Sequence, residues 1–143
     1  MRDVPDDALN AMRAYLRTSA FNVVHGIEIE KAGAGEAELS MLWHPEAGQY
    51  QGFLHAGLIG ALIDTACGCA AATVAGRVLA SHYSVNCIRP AVGQRFLARA
   101  RVVRAGRTVV FTAADVLAEA DGKRTLVANG ETMLNVVAAQ GEA

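Results

Sequence analysis

Asp64 is the one charged side chain between His55 and Arg77. The run around it, GLIGALIDTACGCAAATVAG from Gly57 to Gly76, is otherwise apolar or small. A carboxylate in that setting is costly to bury unless something pairs with it or uses it. Desolvation disfavours its charged form and raises its basicity, the direction a general base needs. His55-Ala56-Gly57 opens the same run. At the start of a helix, the N–H groups of Ala56 and Gly57 are aimed outward at the positive end of the dipole. Such donors suit a carbonyl oxygen as it becomes an oxyanion, and a carboxylate suits the attack on the carbon or the deprotonation of water.

One distance constrains the pair. Ala56 and Asp64 are eight residues apart, roughly 12 Å along a helix at about 1.5 Å per residue. No single carbonyl touches both. The simplest remedy is a second helix running antiparallel in a two-fold dimer, so that Asp64 of one protomer faces Ala56 of its partner. A homodimer at minimum is therefore expected.

Nearby polar residues admit more than one role. Gln49 lies seven residues before Ala56 and carries a side-chain amide that both donates and accepts; it either orients a reactant or simply faces solvent from its loop. His55 either polarises a carbonyl or only caps the helix. Asp64 itself could instead be satisfied by Thr65, a backbone donor or a water. Cys67 and Cys69 are two apart, hence on opposite sides of a helix, so they cannot chelate one metal together. His25, His44 and His82 lack ligand spacing, and no metal site is expected. No serine sits in a G-x-S-x-G setting and no P-loop or dinucleotide fingerprint is present.

The elements that must hold these residues follow from periodicity. Residues 6 to 17 place Leu9, Met12 and Leu16 on one side of a short amphipathic helix. His25 to Lys31 and Glu36 to Trp43 alternate apolar and polar residues around an Ala-Gly-Ala-Gly turn, a hairpin with one buried face. Ala56 to Gly76 is long enough to span a bilayer. It is nevertheless rich in Ala, Gly, Cys and Thr, holds Asp64 near its middle and is followed by strand-like segments, so a buried central helix is the better reading and no membrane is expected. Strands are then expected over Val78 to Ile88, Arg95 to Arg104, Thr108 to Glu119 and Thr125 to Val137, with Pro90 breaking the ladder and Ala105-Gly106 and Asp121-Gly122 as tight turns. Residues 138 to 143 read as a frayed tail. Short turns between consecutive strands favour an antiparallel sheet, and the long apolar helix is the one object able to cover its face. The fold class expected is α+β, a curved antiparallel sheet wrapped around one long central helix, with a short N-terminal helix.

The chain of 143 residues is the size of one domain, taken as 1–143 with its core over about 20–137. Thirteen Lys+Arg against fourteen Asp+Glu leave a formal charge of -1, so no global field recruits nucleic acid. Three cysteines, with no basic-plus-apolar leader at the start, point to reduced thiols and a cytoplasmic location.

The element order and the motif Gln49-x-x-Gly52-x-x-His55-Ala56-Gly57, with Asp64 nine residues after His55, resemble the hotdog-fold acyl-CoA thioesterases, especially the branch holding the phenylacetate-degradation and 4-hydroxybenzoyl-CoA enzymes. Arg89-Pro90-Ala91, Gly106-Arg107 and Asp121-Gly122 add to the likeness over roughly residues 20 to 137. Two departures stand out: Ala56 replaces the first glycine after the histidine, and Gly68 stands where some relatives carry a hydroxyl residue. The resemblance implies hydrolysis of a medium-chain or aromatic acyl-CoA to free acid and CoA without a cofactor. Asp64 would act as base or nucleophile, Ala56 and Gly57 as oxyanion donors, and Gln49 and His55 as orienting groups. Two sites per dimer, with dimers pairing into a homotetramer, come with it. CoA phosphates call for cations at the mouth, and Arg89, Arg104 and Arg107 are the candidates. Phe53, Leu54, Met41, Tyr83 and Met133 are expected to shape the pocket. The alternatives on the same fold are a non-catalytic acyl-CoA-binding protein and a hydratase or dehydratase using an Asp/His pair.

Overall fold

The computed structural model describes residues 4–138. The acidic first turn and the Leu9, Met12, Leu16 stripe form α1 (Asp6–Leu16). Ser19 then caps a second short helix, α2 (Ala20–His25), closed by Gly26 in the left-handed region at φ 65°. This helix is a departure from expectation, for His25 ends a helix instead of starting a strand.

The hairpin follows as β1 (Glu28–Gly33) and β2 (Glu36–Leu42), joined at Ala34 and Gly35, both with positive φ. Their primed-turn geometry matches the twist of the strands they connect. A single 3-10 turn at Pro45–Ala47 leads to the long helix α3 (Ala56–Ala75). Four strands complete the chain: β3 (Val78–Cys87), β4 (Arg95–Ala105), β5 (Val109–Ala120) and β6 (Lys123–Val136). Asp121 and Gly122, again at positive φ, turn β5 into β6.

The six strands make one antiparallel sheet in the order β1-β2-β4-β5-β6-β3. Helix α3 contacts all six. Leu58, Ile59, Leu62, Ile63, Ala66, Cys67, Ala70 and Ala71 are buried against inner-face residues such as Leu39, Met41, Phe96, Val110 and Val116. This is the hotdog arrangement the resemblance implied. By length and composition α3 could cross a membrane, but its apolar side is spent on the sheet. The outer face carries charge instead: Arg95 reaches Glu30 at 3.0 Å and Glu119 at 3.9 Å, and Arg124 reaches Glu119 at 2.9 Å. The Ser40 hydroxyl, with Arg95, holds the Glu30 carboxyl below its ordinary range.

The two sheet edges differ. Along β1, Arg13 of α1 donates to the Ile29 carbonyl through Nε and Nη2 at 3.1 and 3.0 Å, and the Val4 N–H donates to the Ala32 carbonyl at 3.1 Å. Those contacts blunt the edge. The β3 edge has no such cover among the described residues. Eight of its ten residues are exposed, Leu79 and Tyr83 among them.

Candidate active site

The loop ahead of α3 is stitched before the helix begins. The Gln49 N–H donates to the Phe53 carbonyl at 2.8 Å, the His55 N–H to the Ala47 carbonyl at 2.9 Å and the Leu54 N–H to the Ala91 carbonyl at 3.0 Å. Gly52 turns the loop at φ 79°. Gly48 is forced by packing, since an added Cβ would lie 2.6 Å from the Trp43 ring.

His55 is the N-cap. Its Nδ1 accepts the Gly57 N–H at 2.8 Å, which places the proton of the neutral ring on Nε2. Leu58 and Ile59 donate to the His55 carbonyl. The Ala56 N–H has no partner among the described residues, and Ala56 is exposed. The expectation of two free backbone donors therefore changes: Gly57 spends its N–H on the cap, and the outward donors are the Ala56 N–H and the His55 Nε2–H. The physical reason is local, since a side-chain acceptor at the cap takes the nearest orphan amide.

Gln49 is half-buried, and its Oε1 accepts N–H groups from its own loop, those of Gln51 and of Phe53. Its acceptor role is thus structural, while the NH₂ end is left to donate. Gln49, His55 and Ala56 line one cavity of about 420 Å³ with Phe53, Cys87 and Arg89. Arg89 braces this mouth by donating from Nη1 to the Leu126 carbonyl at 2.7 Å.

Asp64 lies elsewhere. It lines a second, larger cavity of about 840 Å³ between α1, α2, α3 and the start of β3. The carboxylate is half-buried, and burial pushes its pKa up; among the described residues neither a hydrogen bond nor a neighbouring charge offsets that rise. The satisfying partner considered for it, Thr65, lines the same cavity without bonding to it. Cys69 also lines this wall, and burial pushes its thiol up to about 12, away from the thiolate form. Cys67 faces the opposite way, into the core.

The three arginines do not converge within one chain. Arg89 lies two residues past Cys87, which is level with Ala128 and Val116, whereas Arg104 is level with His82 and Arg107 lies in the β4–β5 turn beyond it, toward Leu79 at the start of β3. The eight steps from Leu79 to Cys87 put about 26 Å between the β4–β5 turn and the end of β3, and the five from His82 leave Arg104 about 16 Å from that end, at about 3.3 Å per residue. Of the expected pocket residues, Phe53 and Leu54 line the helix-start cavity. Met41 is core, and Leu134, not Met133, reaches the Asp64 cavity. The walls from α1 and α2, including Met12, Tyr15 and Asn22, went unforeseen; the amphipathic stripe of α1 was the signal pointing that helix at the sheet's helix-bearing side.

Residues 51–125 match the family profile of the Thioesterase superfamily, and the chain belongs to that family. It is similar to an esterase candidate of Halobacterium salinarum, with 34% identity over 145 residues spanning 92% of this chain and 93% of the relative. A crystal structure of a thioesterase family protein from Silicibacter pomeroyi superposes with a TM-score of 0.86 at 32% identity, covering 90% of this chain and 96% of that one. A thioesterase of Haemophilus influenzae shares the fold over 99% of both chains, with a TM-score of 0.85 at 23% identity.

Proposed function

We propose that the protein is an acyl-CoA thioesterase of the cytoplasm, active as a homodimer at minimum, in the branch that includes the phenylacetate-degradation and 4-hydroxybenzoyl-CoA enzymes. One observation carries the mechanism: Asp64 and the Ala56 donor open into two different cavities of one chain. Each protomer holds half of a reaction centre at each end of the same helix segment.

The bare β3 edge supplies the complement. Antiparallel pairing of two β3 strands about a two-fold axis continues the sheet and lays the two α3 helices side by side in opposite directions. Asp64 of one protomer then faces Ala56 of the other. The same symmetry exchanges the sheet ends, which carries the turn bearing Arg104 and Arg107 toward Arg89 of the partner, where CoA phosphates would sit. In the composite site the thioester oxygen receives the Ala56 N–H and the His55 Nε2–H. Asp64 deprotonates a water that attacks the carbon, or attacks it directly to form an anhydride that a water then opens; the C–S bond breaks, CoA leaves as the thiol with a proton from Asp64 or solvent, and the free acid is the other product. Gln49 orients the thioester through its NH₂ group. Free thiols at Cys67, Cys69 and Cys87 fit a reducing compartment.

The test is steady release of CoA from acyl-CoA substrates followed with a thiol reagent. Hydrolysis by the native protein and a loss of at least about 10²-fold in kcat for Asp64→Asn are expected, since a general base contributes on that scale. Tight binding of acyl-CoA with no turnover in the native protein would replace the enzyme with a binding protein.

A further inference from the structure

The Asp64 cavity extends well past the carboxylate. Its floor is one face of α3, on which Asp64, Gly68, Ala72 and Gly76 follow at four-residue steps, and Arg77 and Leu79 line it beyond Gly76. Twelve residues separate Asp64 from Gly76, about 18 Å of helix. Met12, Tyr15 and Leu16 of α1 form the opposite wall. An added Cβ at Gly68 would meet nothing within 4 Å, so the floor is low because its residues are small, not because a neighbour forbids larger ones. An aromatic acid ends within about 6 Å of its carbonyl and would leave most of this length empty.

We propose that the cavity is a channel for an unbranched acyl chain, and that Gly68 and Ala72 set how much chain fits beyond the thioester. The inference rests on the thioesterase reading above and adds the substrate class. With the carbonyl held at Asp64, an extended chain advancing about 1.25 Å per bond passes Gly68 after about five carbons, Ala72 after about ten and reaches Gly76 at about fourteen. Apolar walls reward each added methylene, at roughly fourfold per buried CH₂, until the chain leaves the channel.

The experiment measures kcat/KM for saturated acyl-CoA substrates from four to sixteen carbons, together with phenylacetyl-CoA. For the native protein the values are expected to climb to about ten to fourteen carbons and then level off, with phenylacetyl-CoA below decanoyl-CoA. Gly68→Leu blocks the channel one turn past Asp64, and its octanoyl-to-butanoyl ratio is expected to fall at least tenfold. Ala72→Phe blocks it a turn later: the dodecanoyl-to-butanoyl ratio falls at least tenfold while the octanoyl-to-butanoyl ratio holds within threefold. Ala72→Leu serves as the second variant should the bulkier one fail to fold, as judged by thermal unfolding. Ratios that stay at the native values, or that break at the same length in both variants, overturn the channel. So does a native preference for phenylacetyl-CoA over every straight chain, though hydrolysis itself then stands. Absence of turnover on all substrates overturns the thioesterase reading, and the channel with it.

Discussion

Asp64 pays for its position in charge. Burial raises its pKa and no donor or cation among the described residues offsets the rise, so the folded protein binds a proton there more tightly than the unfolded chain does. Stability associated with the protonated form is fully present below the unfolded pKa and is lost as pH rises through the folded one. Under the proposed mechanism activity runs the other way, because only the carboxylate can act as base or nucleophile. The acid limb of kcat/KM is therefore expected to fall at a pH above the ordinary aspartate range, and a limb inside that range would contradict the environment described for Asp64. In the same direction, Asp64→Asn is expected to be more stable than the native protein in urea titrations at pH 7, with the gain shrinking as the pH approaches 4. Enzymes that use a desolvated acid accept this trade between stability and activity.

The elements were legible in the chain where a period or a turn dipeptide spoke for them. Alternation along 36 to 43, the apolar run of α3 and the Asp121-Gly122 turn each predicted what forms. Helix α2 was not legible: Phe21, Val23 and Val24 favour strands, and six residues are too few to show a helical period, so the Ser19 cap and the Gly26 stop decide the matter. For the site, the helix-start cluster of Gln49, His55 and Ala56 could be read from sequence because it is contiguous. The separation of Arg89 from Arg104 and Arg107 could not, since it depends on which end of the sheet each turn occupies. Glycines show the same limit. Gly68 and Gly130 look alike as letters, yet an added Cβ meets open space at Gly68, whereas at Gly130 it would lie 2.1 Å from the Ser84 carbonyl oxygen of β3 and 3.1 Å from Ile63 Cδ1. Gly68→Ala is expected to raise unfolding stability by up to about 1 kcal/mol through helix propensity. Gly130→Ala is expected to lower it by about 1–3 kcal/mol or more, because β3 backbone must move. Urea unfolding of both variants checks the contrast, and a neutral Gly130→Ala would mean that β3 is held less closely to β6 than the register indicates.

Across the whole molecule, the sheet covers its β1 edge and, among the described residues, leaves its β3 edge bare, while α3 sets Asp64 apart from the Ala56 N–H, the proposed base and oxyanion donor. Both features find one resolution in the proposed two-fold dimer, and that proposal can be tested without a structure of the dimer. Ala56 occupies the first helical position, where proline is well tolerated because its missing N–H would have had no helical partner. His55, at φ -60° and ψ 135°, already has the backbone that a following proline requires. Ala56→Pro thus deletes the donor while sparing the helix, and Asp64→Asn deletes the base. Each pure variant is expected to lose at least about 10²-fold in kcat. Refolded together in equal amounts, about half of the dimers are mixed, and each mixed dimer holds one site with both defects and one site with neither. Recovery of roughly a quarter of native activity is expected on that arithmetic. A site built within one chain would instead leave the mixture as inactive as its two components.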